Sequence, residues 1–162
     1  MPLTVTNLAA RDIPDVLSIS VECGLCLWSS DAYRSELIRD DTIMLKLADE
    51  EGGAVGFAVG RIFNFTGEEF IVELTNIGLR QAYRNQGFGS LLLKSFLANC
   101  SMSDISSVVL EVRVSNATAI SFYEKFGFKA SGRRRGFYSN PLEDALTMKL
   151  VLKHAQTVKI HT

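Results

Sequence analysis

The chain has 162 residues, of which 47% are hydrophobic and 22% are charged, and its formal net charge is -1. A chain of this size and apolar content can bury one hydrophobic core, so we expect one domain over residues 1–153 and a C-terminal tail over 154–162. A net charge this small gives no general attraction to nucleic acid or to anionic membranes. We therefore expect neither of them as a direct partner.

The sequence carries no sign of export and no metal-binding pattern. No apolar run is long enough to span a bilayer, and the first residues lack the basic and hydrophobic regions of a signal peptide. Three cysteines are too few, and odd in number, for a disulfide framework, which fits the reducing cytosol. Cys23 and Cys26 form a C-x-x-C pair without a second pair, so we expect two small, semi-buried thiols near a helix end. The sequence thus predicts a cytoplasmic protein without a metal site.

Apolar residues alternate in some segments and recur every three or four residues in others, which predicts strands and helices in turn. The predicted strands are 4–8, 42–48, 54–65, 70–79, 106–112, 129–138 and 145–153. Four helices are predicted. The first begins near Asp12 and ends at Gly24, and the second begins at Ser29 or Ser30 with Tyr33, Leu37 and Ile38 facing inward. The third runs from a glycine turn to about Cys100. The fourth runs from Asn116 to Phe126, with Ser115 or Asn116 as its N-cap.

A glycine segment separates the strand at 70–79 from the helix that follows it. Its residues are Arg84, Asn85, Gln86, Gly87, Phe88, Gly89 and Ser90. Amides in the first turn of a helix have no partner within the helix and the helix dipole is positive there, so a phosphate or pyrophosphate binds readily. Gly87 and Gly89 keep the turn free of side chains. Glycines can also occur in such a turn only because the backbone needs their conformational freedom, without any bound ligand, and this explanation is equally good.

Two common nucleotide loops do not match this segment. A dinucleotide fingerprint needs a third glycine where Leu92 stands, and a P-loop needs a lysine where Ser90 and Leu91 close the turn. Nucleotide hydrolysis is therefore not supported. The remaining pattern, Arg-x-x-Gly-x-Gly after an Ile-Gly-Leu strand end, resembles the acetyl-CoA loop of the GNAT N-acetyltransferase superfamily.

The resemblance covers nearly the whole chain. Further matching segments are 110–113, 115–117, 119–120, 122–124 and 126–128, in the order that the superfamily uses. Leu27-Trp28-Ser29, Asn76-Ile77 and residues 143–145 followed by Met148 are similar to its bacterial ribosomal-protein-alanine N-acetyltransferase branch. The chain departs from that branch at residues 80–82, where an Asp-Pro turn is usual. The resemblance implies an α+β fold with a mixed, mostly antiparallel sheet flanked by helices, and acetyl-CoA as cofactor.

The implied reaction is transfer of an acetyl group to a primary amine by direct attack in a ternary complex. The implied acceptor is the N-terminal α-amine of a protein, such as a ribosomal protein. An α-amine has a reference pKa of about 7.7–8.0, against about 10.4 for lysine, so a carboxylate base suffices. The branch places its base at Glu111, and the histone-modifying branch places it at Glu73. We favour Glu111, with Glu73 as a second proton relay. Each glutamate can also be a plain salt-bridge partner.

The resemblance assigns the other roles. Tyr123 matches the donor that protonates the departing thiolate, although its helical spacing also fits a core aromatic. The backbone of Ile77, Gly78 and Leu79 matches the stretch that holds the pantetheine arm and the oxyanion. Asn116 matches a residue that hydrogen-bonds the cofactor and is also a natural helix cap. Arg84 adds either a contact to the pyrophosphate or a solvated charge.

Three questions stay open at the level of sequence. Trp28, Phe137 and Tyr138 would line the acceptor pocket, or they are plain core or surface aromatics. Arg133, Arg134 and Arg135 form a basic run that suits a solvated strand end or contact with a phosphate or acidic partner. The alternative functions are acetylation of small-molecule amines and a non-catalytic acyl-CoA-binding module, which would have no need of Glu111 and Tyr123.

Overall fold

Residues with period-two patterns form strands and those with period near 3.6 form helices. The computed structural model describes residues 2–64, 67, 69–101 and 104–152. Its strands are β1 (Thr4–Asn7), β2 (Thr42–Ala48), β3 (Ala54–Phe63), β4 (Phe70–Leu79), β5 (Ile105–Arg113), β6 (Lys129–Tyr138) and β7 (Glu143–Val151). Its helices are α1 (Ile13–Glu22), α2 (Ser30–Leu37), α3 (Phe88–Ser101) and α4 (Ala117–Lys125).

The strands join in the order β1-β2-β3-β4-β5-β7-β6. β4 and β5 are parallel, whereas the pairs β1–β2, β2–β3, β5–β7 and β6–β7 are antiparallel. The predicted α+β class with a mixed, mostly antiparallel sheet is thus confirmed. β7 begins earlier than the predicted residue 145, because Tyr138 and Glu143 still pair across the β6–β7 turn.

The chain forms two compact units, and β4 contributes to both. Among the described residues, the first unit holds 2–62 and 74–101, and the second holds 63–64, 67, 69–73 and 104–152. The predicted domain boundary at 153/154 stays a prediction, because the tail lies outside the described residues.

The core of the first unit lies between α1, α2 and the buried strands β2 and β3. Ile13, Val16 and Ile19 follow each other at helical spacing on α1, and each is at most 1% exposed. A buried ion pair fixes the start of this helix, since Lys46 Nζ on β2 lies 2.9 Å from Asp12 Oδ1. Removing one partner of such a pair would leave an uncompensated buried charge, at a cost of about 3–5 kcal/mol.

The second helix confirms one sequence prediction and corrects another. Ser29 is its N-cap, since the Ala32 amide donates to the Ser29 hydroxyl oxygen at 3.0 Å. Tyr33 is fully buried, as predicted. The prediction that Ile38 faces inward is wrong, because α2 ends at Leu37 and Ile38, at the C-cap, is 87% exposed.

The second unit is built on the ladder of β5, β7 and β6, with α4 between β5 and β6 in the chain. Val108, Leu110 and Val112 are buried on one face of β5, so Glu111 lies on the other face with the half-buried Val109. Glu73 on β4 pairs with Val109. Since paired residues point to the same side of a sheet, Glu73 and Glu111 share that face.

Candidate active site

The predicted site residues belong to both units. The first unit holds the cofactor segments, namely Ile77, Gly78, Leu79 and residues 84–90, and the second holds Glu73, Glu111, Asn116 and Tyr123.

The glycine loop ends in a helix start, as predicted. Asn85 and Gly87 have positive φ angles of 60° and 87°, and these two left-handed residues turn the chain into α3. A side chain at Gly87 would meet no atom within 4 Å, so the backbone angle, rather than crowding, favours glycine there. By helix geometry the amides of Phe88, Gly89 and Ser90 have no acceptor inside α3. The loop therefore presents free N–H donors beside open space, which suits a pyrophosphate.

The guanidinium of Arg84 lies on the end of β4. Its Nε donates to the Leu79 carbonyl at 3.0 Å, and its Nη2 lies 3.4 Å from the sulfur of Cys23. The Cys23 thiol in turn donates to the same carbonyl at 3.4 Å. Cys23 is half-buried, as predicted, whereas the same prediction for Cys26 is wrong, because that thiol is exposed beyond the end of α1. A β-carbon at Gly78 would come within 3.2 Å of this sulfur, so the small residue is needed here for close packing. Arg84 and Cys23 thus hold the strand end that precedes the loop.

A charged cluster on α1 holds the turn between β4 and the loop. Arg80 reaches Glu22 Oε2 at 3.3 Å, Ser18 Oγ at 3.1 Å and Asp15 Oδ1 at 3.5 Å. The Gln81 amide donates to Glu22 Oε1 at 2.5 Å, and this bond, ahead of Arg80, holds the pKa of Glu22 below its usual range. The sequence departs from its predicted branch at Arg80 and Gln81, and the structure shows what these two residues do instead of an Asp-Pro turn.

A pocket beside the loop is lined by Tyr83, Gln86 and Phe88 on one side and by the acidic turn of residues 49–51 on the other. Carboxylates repel a pyrophosphate, so this pocket does not suit the phosphates of a cofactor.

The carboxylate of Glu111 is held at both oxygens. Thr147 Oγ1 on β7 donates to Oε2 at 2.8 Å, and Arg134 Nη1 on β6 lies 3.3 Å from Oε1. The Glu111 side chain is 16% exposed. The sequence predicted the carboxylate but not its partners, because cross-strand neighbours depend on a register that one sequence does not reveal.

Tyr123 is a packed aromatic on α4, as its spacing predicted. It is buried, its ring lies 5.6 Å from that of Phe128 in an edge-on contact, and 5.4 Å from that of Phe122. Burial, with a smaller effect of the nearby Tyr138, raises the pKa of Tyr123 to about 12. Its phenol therefore stays protonated throughout the neutral and moderately alkaline range, with its hydrogen available for donation.

Asn116 is the N-cap of α4. Its side-chain oxygen accepts from the Ala119 amide at 3.1 Å, so of the two predicted caps, Ser115 and Asn116, it is Asn116 that caps the helix. Its predicted hydrogen bond to the cofactor stays a prediction. Glu143 holds the preceding turn, because Oε1 accepts from the Ser115 amide at 2.8 Å and Oε2 pairs with Arg113 at 3.1 Å. Hydrogen bonds from Ser115 and then the charge of Arg113 hold the pKa of Glu143 below its usual range.

The arginine run on β6 resolves into specific contacts. Arg133 Nε donates to Asp144 Oδ2 at 2.8 Å, and the Gly136 amide donates to Asp144 Oδ1 at 2.9 Å. The Gly136 bond first and Arg133 second hold the pKa of Asp144 below its usual range. Arg134 lies over the ring of Phe137 at 4.6 Å while reaching Glu111. At least two of the three arginines thus have intramolecular partners, which answers part of the open question about this run.

The aromatics predicted for the acceptor pocket lie in different units. Trp28 is half-buried in the first unit, with its ring 5.1 Å from that of Tyr33. Phe137 and Tyr138 in the second unit meet edge to face at 5.0 Å, and Arg113 lies over Tyr138 at 4.5 Å. Their predicted part in acceptor binding stays a prediction.

Within the residues that the structure describes, no group of three or more His, Cys, Asp or Glu side chains is arranged to hold a metal ion. No helix in the same part of the chain is both long and apolar enough to cross a membrane.

Known proteins share this fold and these segments. A family model described as "Acetyltransferase (GNAT) family" matches residues 13–128. The ribosomal protein bS18-alanine N-acetyltransferase of Escherichia coli (strain K12) is 28% identical over 149 residues, covering 91% of this chain and 96% of that protein. The N-alpha-acetyltransferase RimI of Mycobacterium tuberculosis is 32% identical over 151 residues, covering 91% and 92%. The crystal structure of the Escherichia coli ribosomal-protein-S18-alanine enzyme matches with a TM-score of 0.81 and 28% identity, covering 93% and 94% of the two chains.

Proposed function

The chain belongs to the acetyltransferase (GNAT) family, and from that premise we propose that it transfers the acetyl group of acetyl-CoA to the N-terminal α-amine of a protein. The resemblance stated from the glycine loop is confirmed, and with it that the chain is an acetyltransferase. Acetyl-CoA is the acetyl donor of this family.

The choice of acceptor rests on one observation. Relatives from Escherichia coli and Mycobacterium tuberculosis, each matching 91% of this chain, are named for acetylation of an alanine of ribosomal protein bS18 and for N-alpha-acetylation. We extend this chemistry to the present chain and propose an N-terminal alanine of a ribosomal protein as the first acceptor to test. Such an acceptor places the enzyme in the cytoplasm.

We assign the cofactor to the first unit. The free amides of Phe88, Gly89 and Ser90 would bind the pyrophosphate, and the backbone of residues 77–79 would hold the pantetheine arm and the oxyanion of the tetrahedral intermediate. Acetyl-CoA supplies the activated thioester on which the amine acts. Asn116, in the second unit, retains its predicted hydrogen bond to the cofactor.

We assign proton transfer to the second unit. Glu111 accepts a proton from the protonated α-amine, directly or through one water, and leaves a neutral nucleophile. Glu73, on the same face of the sheet, is the candidate for a second relay. This step needs only a modest base, because the reference pKa of an α-amine is about 7.7–8.0.

We assign Tyr123 a hydrogen bond to the departing sulfur. A phenol with a pKa of about 12 is a weaker acid than a thiol, whose reference pKa is about 8.5, so it does not simply protonate a free thiolate. The nitrogen loses a proton as it becomes an amide. Tyr123 can pass its own proton to the sulfur and regain a proton from the nitrogen, so that the phenol ends the step protonated and no free phenolate forms.

The test is thiol release from acetyl-CoA with a panel of acceptors. The panel contains peptides with a free N-terminal alanine, the same peptides with a blocked N-terminus and an internal lysine, and small amines such as polyamines and aminoglycosides. We expect turnover only where the α-amine is free. Turnover confined to small amines would instead indicate a small-molecule acetyltransferase. Binding of acetyl-CoA without turnover on any acceptor would indicate a non-catalytic acyl-CoA-binding module.

A further inference from the structure

We propose that Thr147 and Arg134 are positioning residues for the carboxylate of Glu111, and that they orient it toward the acceptor amine. The inference rests on the proposed function, in which Glu111 is the base. All three side chains belong to the second unit, on the adjacent strands β5, β7 and β6.

The register makes Thr147 the direct neighbour of Glu111. The two residues are paired across the antiparallel β5–β7 ladder, so their side chains lie on the same face. Thr147 Oγ1 donates to Glu111 Oε2 at 2.8 Å, a normal distance for a bond between a hydroxyl and a carboxylate. A β-branched side chain has few rotamers on a strand, so the direction of this hydroxyl is fixed by the backbone. Thr147 thus holds one carboxylate oxygen, Oε2, on the β7 side of Glu111.

Arg134 approaches the other oxygen from β6, where the strand is irregular. Its register with β7 shifts between Arg134 and Tyr138, and Gly136 adopts a left-handed φ of 59°. The carboxylate of Asp144 on β7 stabilises this bend, because it accepts hydrogen bonds from the Gly136 amide and from Arg133. The Arg134 guanidinium then lies 4.6 Å above the Phe137 ring and 3.3 Å from Glu111 Oε1. The stacked ring restricts the arginine, which therefore meets the carboxylate from one side.

The contacts with Thr147 and Arg134 leave lone pairs of the Glu111 carboxylate free to accept a proton. A carboxylate has about four lone-pair sites on its two oxygens, and Thr147 and Arg134 occupy one on each. The remaining sites can accept the proton of an ammonium group, so that Glu111 becomes a carboxylic acid and the amine becomes neutral. Other charged residues at matching register positions on this face are Glu73, Arg113, Lys129, Glu143 and Lys149. Arg113 and Glu143 pair with each other, so their charges largely compensate.

A merely structural role is the competing explanation. A threonine opposite a glutamate can stabilise a sheet by about 0.2–1 kcal/mol without any effect on chemistry. A structural role would reduce activity toward every acceptor alike. A positioning role affects only acceptors whose amine is protonated in solution and must be deprotonated before it can attack. The distinction can be measured with two peptides that differ in the basicity of the N-terminal amine.

The experiment compares Thr147→Val and Arg134→Gln with the wild type. One peptide begins with alanine, and the other begins with trifluoroalanine, whose amine is already neutral at the assay pH. We expect each variant to lower kcat about tenfold on the alanine peptide, a part of the 10²–10⁴ that a general base contributes. The KM for acetyl-CoA should stay close to that of the wild type. So should kcat on the trifluoroalanine peptide. Thr147→Ser and Arg134→Lys should recover most of the lost rate.

The matched controls are substitutions of residues on β6, the strand of Arg134, that do not contact Glu111. Ser131→Ala removes a hydroxyl that donates to the Thr147 backbone carbonyl at 3.3 Å, and Lys129→Gln removes one positive charge from β6. Both controls should keep the wild-type rate on both peptides. The Arg134 side chain is 58% exposed, so we expect the Arg134→Gln variant to fold. It therefore tests the proposal even if Thr147→Val lowers the melting temperature.

Each result decides the question. Wild-type rates in both variants, or equal losses on both peptides, would overturn the positioning roles. If Glu111→Gln is slow while both variants are normal, only this inference fails and the proposed function stands. If Glu111→Gln is as fast as the wild type, the base assignment fails and the inference fails with it. If the wild type acetylates neither peptide, the proposed acceptor is wrong and the inference falls for that separate reason.

Discussion

The glycine loop and the strand face around Glu111 present two kinds of candidate site. The loop offers backbone amides, and its geometry depends on two left-handed residues, Asn85 and Gly87. The Glu111 face offers side chains, and its geometry depends on how β5, β7 and β6 are paired. The loop site is formed by consecutive residues of the chain. The second is assembled from Glu111, Thr147 and Arg134, which are far apart in the chain.

This difference predicts which kinetic constant a substitution changes at each site. A backbone site loses ligand affinity when its φ angles are no longer accessible, whereas a side-chain site loses turnover when a functional group is removed. Substitutions in the loop should therefore change the KM for acetyl-CoA, and substitutions on the Glu111 face should change kcat.

The largest expected effect is that of Glu111→Gln. Loss of the carboxylate should lower kcat on α-amine peptides by about 10²–10³, because general-base catalysis contributes about 10²–10⁴. Glu73→Gln, on the same face, is the matched comparison and should lower kcat by less than Glu111→Gln, because Glu73 is assigned only the second relay. Steady-state kinetics at saturating acetyl-CoA measure both. A larger loss in Glu73→Gln than in Glu111→Gln would exchange the two roles.

Tyr123 gives the next effect. Tyr123→Phe should lower kcat about ten- to hundredfold while acetyl-CoA binding, measured by calorimetry, is kept. Because burial raises the pKa of Tyr123 to about 12, its phenol keeps its proton as the pH rises. We therefore expect wild-type kcat not to fall between roughly pH 8 and pH 10, even though the reference pKa of tyrosine is about 10. A fall with a midpoint near 10 would contradict the raised pKa.

Gly87→Ala tests the loop against a control with the same strain. Gly87 and Gly52 have φ angles of 87° and 86°, and an added β-carbon would meet no atom within 4 Å at either. The cost of a left-handed alanine, about 1–2 kcal/mol, should thus be similar at both. We expect only Gly87→Ala to raise the KM for acetyl-CoA, by about tenfold. An equal rise in Gly52→Ala would show that the loop has no special part in cofactor binding.

The smallest effect concerns acid stability. The pKa values of Glu22, Glu143 and Asp144 are lowered in the folded protein. A lowered folded pKa stabilises the fold above the unfolded pKa, near 4, and this stabilisation is lost as the pH falls through the folded value. We therefore expect the melting temperature of Glu143→Gln to lie below that of the wild type at pH 7, and the difference to shrink as the pH falls below about 4. A difference that does not shrink in acid would contradict this origin.

Local signals gave most of the fold. The helix caps and the glycine turn depend on a few neighbouring residues, so the sequence located the turn and narrowed each cap to two adjacent residues, of which the structure selects Ser29 and Asn116. Ile38 was misplaced because periodicity alone does not show where a helix stops.

Contacts between distant strands could not be predicted in the same way. The Thr147–Glu111 bond follows from the β5–β7 register, and the aim of Arg134 follows from the bend at Gly136. A shift of one residue in either pairing would turn these side chains to the opposite face. By its sequence alone the basic run fits a solvated strand end, because its partners Asp144 and Glu111 lie on other strands.

The most direct test of acetyl transfer to a protein α-amine uses one peptide that carries both a free N-terminal alanine and an internal lysine. After incubation with acetyl-CoA and the enzyme, tandem mass spectrometry locates the added acetyl group. We predict that it lies on the α-amine alone. Acetylation of the lysine side chain, or an unmodified peptide under conditions in which a small amine is acetylated, would contradict the account.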